Sequence, residues 1–167
     1  LARPSRSRRF CSRPTSPPSA LSSRTRGDTM DYLIMPKIGV KFFITGEDHK
    51  DFDLDEVTAK LGIEPTRTQK QEVLRNGTVK ATYWLFALPK VEALSIDNRM
   101  NEMRLILSGK KDIIKQLCES RGLCATFEVT ITAASDELPE IYITSDFLAF
   151  AGELNADLGI AMYLDTD

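Results

Sequence analysis

The part of the chain that is expected to fold begins with alternating apolar and polar residues. In the segment IGVKFFIT, residues 38–45, every second residue is apolar and points to one face: Ile38, Val40, Phe42 and Ile44. An alternation of period two is typical of a strand with one buried face. Phe43 lies on the opposite face and indicates partial burial there as well. The pattern predicts a strand over 38–45 that faces a core.

A helix is predicted next, with chemical signals at both of its ends. Asp53 can accept hydrogen bonds from the first free N–H groups, and Glu56 follows it at the spacing of a capping box. Gly62 can adopt the left-handed conformation that ends helices, and Pro65 prevents continuation. Apolar or small residues recur between these signals at helical intervals: Leu54, Val57, Thr58 and Leu61.

A hairpin is predicted around Asn76-Gly77, because both residues of a tight two-residue turn need positive φ. A loop of two residues places Gln69 opposite Trp84. The first arm is polar and favours an edge strand. The second arm, TYWLFAL at 82–88, is apolar on both faces and favours a central strand.

Two helical stretches should follow, separated or kinked at Gly109. Ser95 is a suitable cap for the first and Gly122 a suitable end for the second. The buried face of the first stretch is predicted to contain Ile96, Met100, Met103 and Leu107.

The last third of the chain predicts four more elements. They are a strand over 124–133, a short strand in LPEIYIT at 138–144, a capped helix over 145–155 and a final strand over 157–165. In the final strand the residues expected to point inward are Leu158, Ile160, Met162 and Leu164.

The order of elements is β-α-β-β-α-β followed by an extra β-α-β. Its first six elements match the split pattern of ferredoxin-like sandwiches. Strands with one apolar face require helices over that face. The sequence therefore predicts an α+β fold, with one mainly antiparallel sheet and helices on one face, as a single domain over residues 30–167.

Residues 1–29 differ in composition from everything after them. They are rich in Arg, Ser and Pro, with seven arginines and one acid. Such a segment buries too little apolar surface to fold. A transit peptide fits the charge but not the proline content, and a nucleic-acid-binding tail fits the charge alone. The favoured interpretation is a disordered or non-native leader, produced by a reading frame extended upstream of Met30 or Met35.

Charge and cysteine content narrow the functional class. Residues 30–167 contain 15 basic and 23 acidic residues, a balance of −8, which disfavours nucleic-acid binding by the folded part. The same balance is compatible with a basic protein partner.

Three cysteines without a CxxC pair argue against disulfides and structural zinc. No apolar run is long enough to span a bilayer. We expect a cytoplasmic protein without a membrane anchor.

From about Val40 to Tyr163 the chain resembles the uncharacterised bacterial family named domain of unknown function 4279. The residues that carry the resemblance are Thr45-Gly46, Leu61-Gly62-Ile63, Pro65-Thr66, Trp84, Leu138-Pro139, Ser145 and Leu148. Where this family usually has Lys-Gly after the threonine loop, the chain reads QKQEVLRNG. The resemblance implies a compact α+β domain of bacterial type and supplies no activity.

Familiar catalytic and metal-binding patterns are missing. His49 is the only histidine, which removes sites that need two. The acids at 51, 53 and 55 have the spacing of a calcium loop, but Glu56 and Gly62 stand where that loop needs Gly and Glu. Cys118 and Cys124 favour structural burial, and no GxSxG, P-loop or GxGxxG motif occurs. We predict no catalytic residues, no metal site and no cofactor.

One group of residues remains as a candidate for contacting a ligand or partner: Thr66, Arg67, Thr68, Lys70 and Trp84. With the hairpin register given above, Arg67 and Trp84 project on one face. An arginine beside hydroxyls and an indole can hold a carboxylate, a phosphate or an acidic peptide. The competing interpretation is a tryptophan that fills the core.

Two functional hypotheses follow. The first is a small non-enzymatic interaction module, with an immunity-like protein that blocks a basic toxin as a special case. It expects an acidic patch of Glu47, Asp48, Asp51, Asp53 and Asp55. The second is a small-ligand binder or enzyme that uses an Arg/Thr/Trp pocket. The sequence does not specify an oligomeric state.

Overall fold

The computed structural model describes residues 35–47, 50–134 and 138–164. The predicted leader 1–29, the sole histidine His49 and the acid Asp48 lie outside the described residues. Among the described residues, no helix is both long enough and apolar enough to cross a bilayer.

Eight strands and four helices follow one another along the described chain. The strands are β1 Lys37–Gly46, β2 Arg67–Gln69, β3 Glu72–Val73, β4 Val79–Lys80, β5 Tyr83–Ala87, β6 Val91–Glu92, β7 Leu123–Ala133 and β8 Asp157–Leu164. The helices are α1 Leu54–Leu61, α2 Asp97–Ser108, α3 Lys111–Arg121 and α4 Ser145–Glu153.

The main sheet has the strand order β2-β5-β1-β7-β8, and β6 pairs with the start of β1. The strand β1 is antiparallel to β5, β6 and β7, whereas β7 and β8 are parallel. This parallel pair needs a crossover connection, which contains α4. The predicted α+β class is confirmed. The sheet is mixed rather than purely antiparallel.

One face of the sheet carries the core. The apolar residues of β1 predicted to point inward are all fully buried, and each of the four helices adds buried residues to the same cluster. Aromatic rings connect the layers, with Phe127 of β7 at 5.1 Å from Phe42 and 5.0 Å from Phe147 of α4 between ring centroids. The predicted core face of β1 is thus confirmed.

The opposite face of β1 is more polar. Lys41 Nζ lies 2.6 Å from Glu128 Oε1 on the neighbouring strand. Phe43 and Tyr83 meet edge to face with ring centroids 6.2 Å apart. Both aromatic residues are half-buried, as the pattern of β1 indicates for Phe43.

The two ends of α1 form as predicted. The Asp53 carboxylate accepts hydrogen bonds from the N–H groups of Asp55 at 2.9 Å and Glu56 at 3.3 Å. Gly62 has φ +61°, and its N–H donates to the Thr58 carbonyl. The return bond of a capping box is absent from this helix start, because the Glu56 carboxylate is bound by two basic side chains instead.

Gly109 separates two helices, α2 and α3, so the stretch is not one kinked helix. The buried residues predicted for α2 are confirmed, including Met100 and Met103. The N-cap position of α2 is Ile96 instead of the predicted Ser95. The Ser95 hydroxyl accepts a hydrogen bond from the Asp97 N–H at 3.3 Å just before the helix.

The hairpin differs from its prediction by one residue. Val73 pairs with Val79, and the loop has three residues, because the Leu74 N–H donates to the Thr78 carbonyl at 2.9 Å. Gly77 alone takes positive φ, at +81°, which suits a type I turn followed by a bulge. Further along the same arms, Thr68 instead of Gln69 lies opposite Trp84, so the predicted register is wrong.

Two predictions for the last third are also corrected. Residues 138–144 form a single parallel bridge between Glu140 and Ser95 rather than a strand, and Pro139 has no N–H to offer a ladder. In β8 the four residues predicted to point inward do lie on the core side, opposite core residues of β7, but of these four Leu158 alone packs against the core. Ile160, Met162 and Leu164 are exposed. These three residues lie on an edge strand of the sheet, where a neighbouring strand is present on one side only.

Candidate functional site

Trp84 lies inside the core. Its side chain is fully buried, and its Nε1–H donates to the Thr58 hydroxyl at 3.0 Å. Its ring meets Phe42 edge to face at 6.5 Å between centroids. A buried indole with its N–H satisfied is a packing residue. Trp84 therefore fills the core, which is the competing interpretation given in the sequence analysis.

Arg67 points away from Trp84. Across the strand pair Arg67 lies opposite Leu85, and Thr68 lies opposite Trp84. Cross-strand partners share a face, and neighbours along a strand point to opposite faces. The predicted placement of Arg67 and Trp84 on one face is wrong, because the hairpin register is displaced by one residue.

Thr66 has a structural role beside the same strand. Its hydroxyl accepts a hydrogen bond from the Ala87 N–H at 2.9 Å, and its own N–H donates to the Leu85 carbonyl at 2.8 Å. These bonds extend the pairing of β2 with β5 by one residue.

Thr68 and Lys70 line a groove of about 370 Å³ beside the start of α1. Three carboxylates line the same groove: Asp53, Asp55 and Glu64. One ammonium group among three carboxylates does not favour an anion. A role of the five predicted residues in ligand contact stays a prediction, and the structure does not bring them together in one pocket.

A smaller cleft of about 240 Å³ lies between the loop before α1 and the end of α3. Its apolar lining includes Phe52 and Leu117, and its charged lining includes Lys50, Glu56 and Arg121. Lys50 Nζ donates to the Arg121 carbonyl at 3.0 Å, and Arg121 Nη2 donates to Glu56 Oε1 at 2.8 Å. Arg121 and Glu56 are therefore engaged in an ion pair, and Lys50 is bound to a backbone carbonyl.

The Glu56 carboxylate of that cleft is paired with two basic side chains. Hydrogen bonds from Lys60, at 2.9 Å, and then from Arg121 hold the pKa of Glu56 below its ordinary value. A carboxylate in this state stays ionised and is a poor general acid. Glu56 is therefore not suited to act as a general acid in this cleft.

The two cysteines Cys118 and Cys124 line a third cavity, of about 600 Å³. Burial, and then the neighbouring Cys124, raise the pKa of Cys118 to about 11. The thiol of Cys118 is therefore protonated at neutral pH, which makes it a weak nucleophile and a poor metal ligand. Within the described residues, no three His, Cys, Asp or Glu side chains are grouped for a metal ion.

The acidic patch expected around the start of α1 is interrupted. Asp51 accepts a hydrogen bond from the Thr82 hydroxyl, and Asp53 caps α1. Lys50 and Arg121 line the same cleft as these two acids. Because basic groups lie among the acids, this end of the domain is not a uniform anionic surface.

An apolar surface occurs elsewhere, at the start of α4. It consists of five large side chains that are between 46% and 59% exposed: Leu94, Leu138, Ile141, Tyr142 and Leu148. We call this set the apolar surface. Leu138 and Leu148 belong to the residues that carry the family resemblance.

Backbone bonds hold the apolar surface in place. The Glu140 N–H donates to the Leu94 carbonyl at 2.7 Å, which brings residues 138–142 beside residue 94. The Thr144 hydroxyl accepts from the Phe147 N–H at 3.4 Å, and its carbonyl accepts from the Leu148 N–H at 3.1 Å. The segment before α4 is therefore anchored at both ends, although it forms no strand.

The sequence has a charge asymmetry that affects the part of the chain containing most of the apolar surface. Residues 122–167 contain nine acids and no lysine or arginine, whereas residues 30–121 contain 14 acids and 15 basic residues. The acidic balance of residues 30–167 thus arises entirely after Arg121. The net charge of the whole chain conceals this asymmetry, because the basic leader offsets it.

A protein-family model described as Domain of unknown function (DUF4279) matches residues 36–165. No curated protein and no solved structure matches the chain.

Proposed function

The chain belongs to the family described as Domain of unknown function (DUF4279), and from the surface of its domain we propose that it is a small, non-enzymatic interaction module that binds a basic partner protein. The observation that carries this proposal is the apolar surface beside α4. Clustered large apolar side chains that remain exposed usually mark a site of protein contact.

The charge around the apolar surface defines the chemistry of the partner. Glu140 and Asp146 lie within the segment that forms the surface, and no basic residue follows Arg121 in the chain. Complementary charges favour a partner that presents apolar side chains among lysines or arginines. Tyr142 is suited to be an anchor, since tyrosine contributes a large contact area at small entropic cost.

A cytoplasmic location and an immunity-like role are extensions of this proposal. In the immunity-like case the partner is a basic toxin and the complex is one to one. The acids of the C-terminal third then steer the toxin toward the domain, and the apolar surface supplies the contact.

The second hypothesis from the sequence, a small-ligand binder or enzyme, receives less support from the placement of its residues. Its Arg/Thr/Trp pocket requires Arg67 and Trp84 on one side of the sheet, and they lie on opposite sides. Trp84 is also inaccessible to a ligand, because it is fully buried.

We also propose a ferredoxin-like relationship for the core of the sheet. Its support is that β1 lies between β5 and β7 and is antiparallel to both, with β2 on the outer side of β5. The parallel strand β8 is an addition to that arrangement.

The test is affinity capture with the full chain, using wild type, a double variant Tyr142→Ser with Leu148→Ser, and a control Leu105→Ser. Leu105 is a comparably exposed leucine on α2 outside the apolar surface. We expect wild type and control to retain one basic protein, which the double variant loses. Binding to that protein should weaken as salt is added.

Retention of the same protein by the double variant would contradict the proposal. So would a captured partner that is acidic, because its charge would oppose the C-terminal third. Circular dichroism of all three proteins must show the same fold, which both exposed positions should permit.

A further inference from the structure

The strand β8, Asp157–Leu164, ends the strand order of the main sheet. In the described part of the chain, β7 is the one strand that pairs with it. An edge strand leaves alternate N–H and C=O groups without a sheet partner. Its backbone is therefore a template for another extended strand.

The strand β8 lacks the usual protection of an edge. None of its eight residues is a lysine or a proline. Its pairing with β7 runs without a bulge from Asp157 opposite Thr126 to Leu164 opposite Ala133. Lysines, prolines and bulges are the common devices that prevent edge pairing. An unprotected strand of this length, without a bulge, is well suited to pairing.

The side chains of β8 add a chemical requirement. Ile160 lies opposite the core residue Val129, and Met162 lies opposite Ile131, so both point to the helix-covered side of the sheet. There Ile160 is 39% exposed, Met162 45% and Leu164 56%. A strand that covers this edge must supply apolar side chains on that same side.

We propose that β8 pairs with β8 of a second copy of this chain, antiparallel, about a twofold axis through Ile160 and perpendicular to the sheet. Ile160 then lies opposite its equivalent, and Leu158 lies opposite Met162, all on the helix-covered side. Asp157 lies opposite Tyr163, so no two carboxylates are directly paired. The two sheets join into one continuous sheet with both helix layers on the same side.

A second copy satisfies both requirements of this edge, which are an extended strand for the backbone and apolar side chains on the helix-covered side. It offers an equally free strand, and its apolar row is self-complementary under a twofold axis, the commonest symmetry of soluble oligomers. Asp157 is the only charged residue of β8, so the contact itself is nearly neutral. The surrounding acids of the two copies repel each other, which makes the association stronger when salt screens them.

The salt dependence separates this inference from the proposed function. Binding of a basic partner weakens with added salt, whereas pairing of two acidic copies strengthens. The two surfaces also use different residues, so either proposal can fail without the other.

The test is sedimentation of the full chain, in wild type and in the variants Ile160→Lys and Ile160→Glu. Wild type should sediment at twice the 18.7 kDa mass of one chain. Because the interface is small, the protein concentration is raised to about 100 µM. Each variant alone should be monomeric, because like charges face each other at the axis. A mixture of the two variants should form the dimer again.

Leu105→Lys and Leu105→Glu are the matched controls and should remain dimeric, since Leu105 is an exposed leucine away from β8. A monomeric wild type at the highest concentration would overturn the proposal. A mixture of Ile160→Lys and Ile160→Glu that stays monomeric would overturn it too. Because the mixture gains an interaction, its dimer cannot result from misfolding.

Discussion

At the scale of single residues, Trp84 had two competing interpretations in the sequence, and its role is structural. Trp84 was a candidate for ligand contact in the sequence, and its burial beside Thr58 and Phe42 makes it part of the core. Arg67, expected beside it, points to the other side of the sheet. The one-residue shift of the hairpin register decides only the side of Arg67. Trp84 is placed on the core side by its pairing with Ile44 of β1.

Trp84→Phe should lower the free energy of unfolding by about 2 kcal/mol, because it opens a cavity and leaves the Thr58 hydroxyl without its indole donor. Urea denaturation followed by circular dichroism measures this, since the substitution removes the only tryptophan of the chain.

Arg67→Ala is the matched control, because the two residues were assigned to one pocket. Its side chain is exposed, so its free energy of unfolding should change by no more than about 0.5 kcal/mol. Equal losses in both variants would contradict the separation of Arg67 from the core.

At the scale of elements, local chemistry predicted most of the boundaries. The cap at Asp53, the left-handed glycines 62 and 122 and the break at Gly109 all occur where the sequence indicated them. Each of these signals acts within one turn of a helix, so it does not depend on distant residues. The hairpin register was mispredicted because the loop around Asn76-Gly77 has three residues instead of two. The segment 138–144 was mispredicted because a strand there depends on partners elsewhere in the chain.

The two helix-ending positions Gly62 and Gly109 should respond differently to alanine. Gly62 has φ +61°, and a methyl group added there would approach only Lys110 Nζ, at 3.7 Å, so Gly62→Ala is opposed by backbone conformation alone. We expect a loss of about 1 kcal/mol in the free energy of unfolding.

Gly109 has φ −74°, and a methyl group added there would have no neighbouring atom within 4 Å. Gly109→Ala should therefore cause no loss of stability and slightly restrict the unfolded chain. Thermal or urea denaturation of both variants distinguishes them. A similar loss at Gly109 would show that conformation is not the cause at Gly62.

At the scale of the whole molecule, one charged group links elements that are distant in the chain. Glu56 of α1 binds Lys60 in its own helix and Arg121 at the end of α3. The lowered pKa of Glu56 means that its ionised form is favoured by folding. Its contribution to stability is thus present above the pKa of the unfolded chain and is lost as pH falls through the lower pKa of the folded state.

Glu56→Gln should therefore reduce the unfolding midpoint at neutral pH, and the difference from wild type should disappear in acid. Thermal denaturation at a series of pH values from 7 to 3 measures this. The difference between the two midpoints should shrink below the ordinary glutamate pKa of 4.5. The Glu56 side chain is 27% exposed, so solvent screens its ion pairs in part and the effect is modest. Glu92→Gln removes an exposed carboxylate outside this network and is the matched control for the loss of one negative charge.

Charge is also distributed unevenly over the whole domain. The basic residues before Gly122 form every ion pair observed within the described chain, including Lys111 with Glu153 of α4 at 2.7 Å. The C-terminal third contributes acids alone. The proposed dimer edge and four of the five residues of the apolar surface lie in this third, and salt should affect the two contacts in opposite directions.

The sequence by itself determined most of the elements, the α+β class and the inward face of β1, because periodicity and caps act over a few residues. Only the tertiary structure decided the strand order, the burial of Trp84 and the side to which Arg67 points. It also decided that the apolar residues at 138–148 and 160–164 remain exposed. An apolar pattern shows that a residue can be buried, but burial requires another element to cover it, and that depends on the packing of the whole chain.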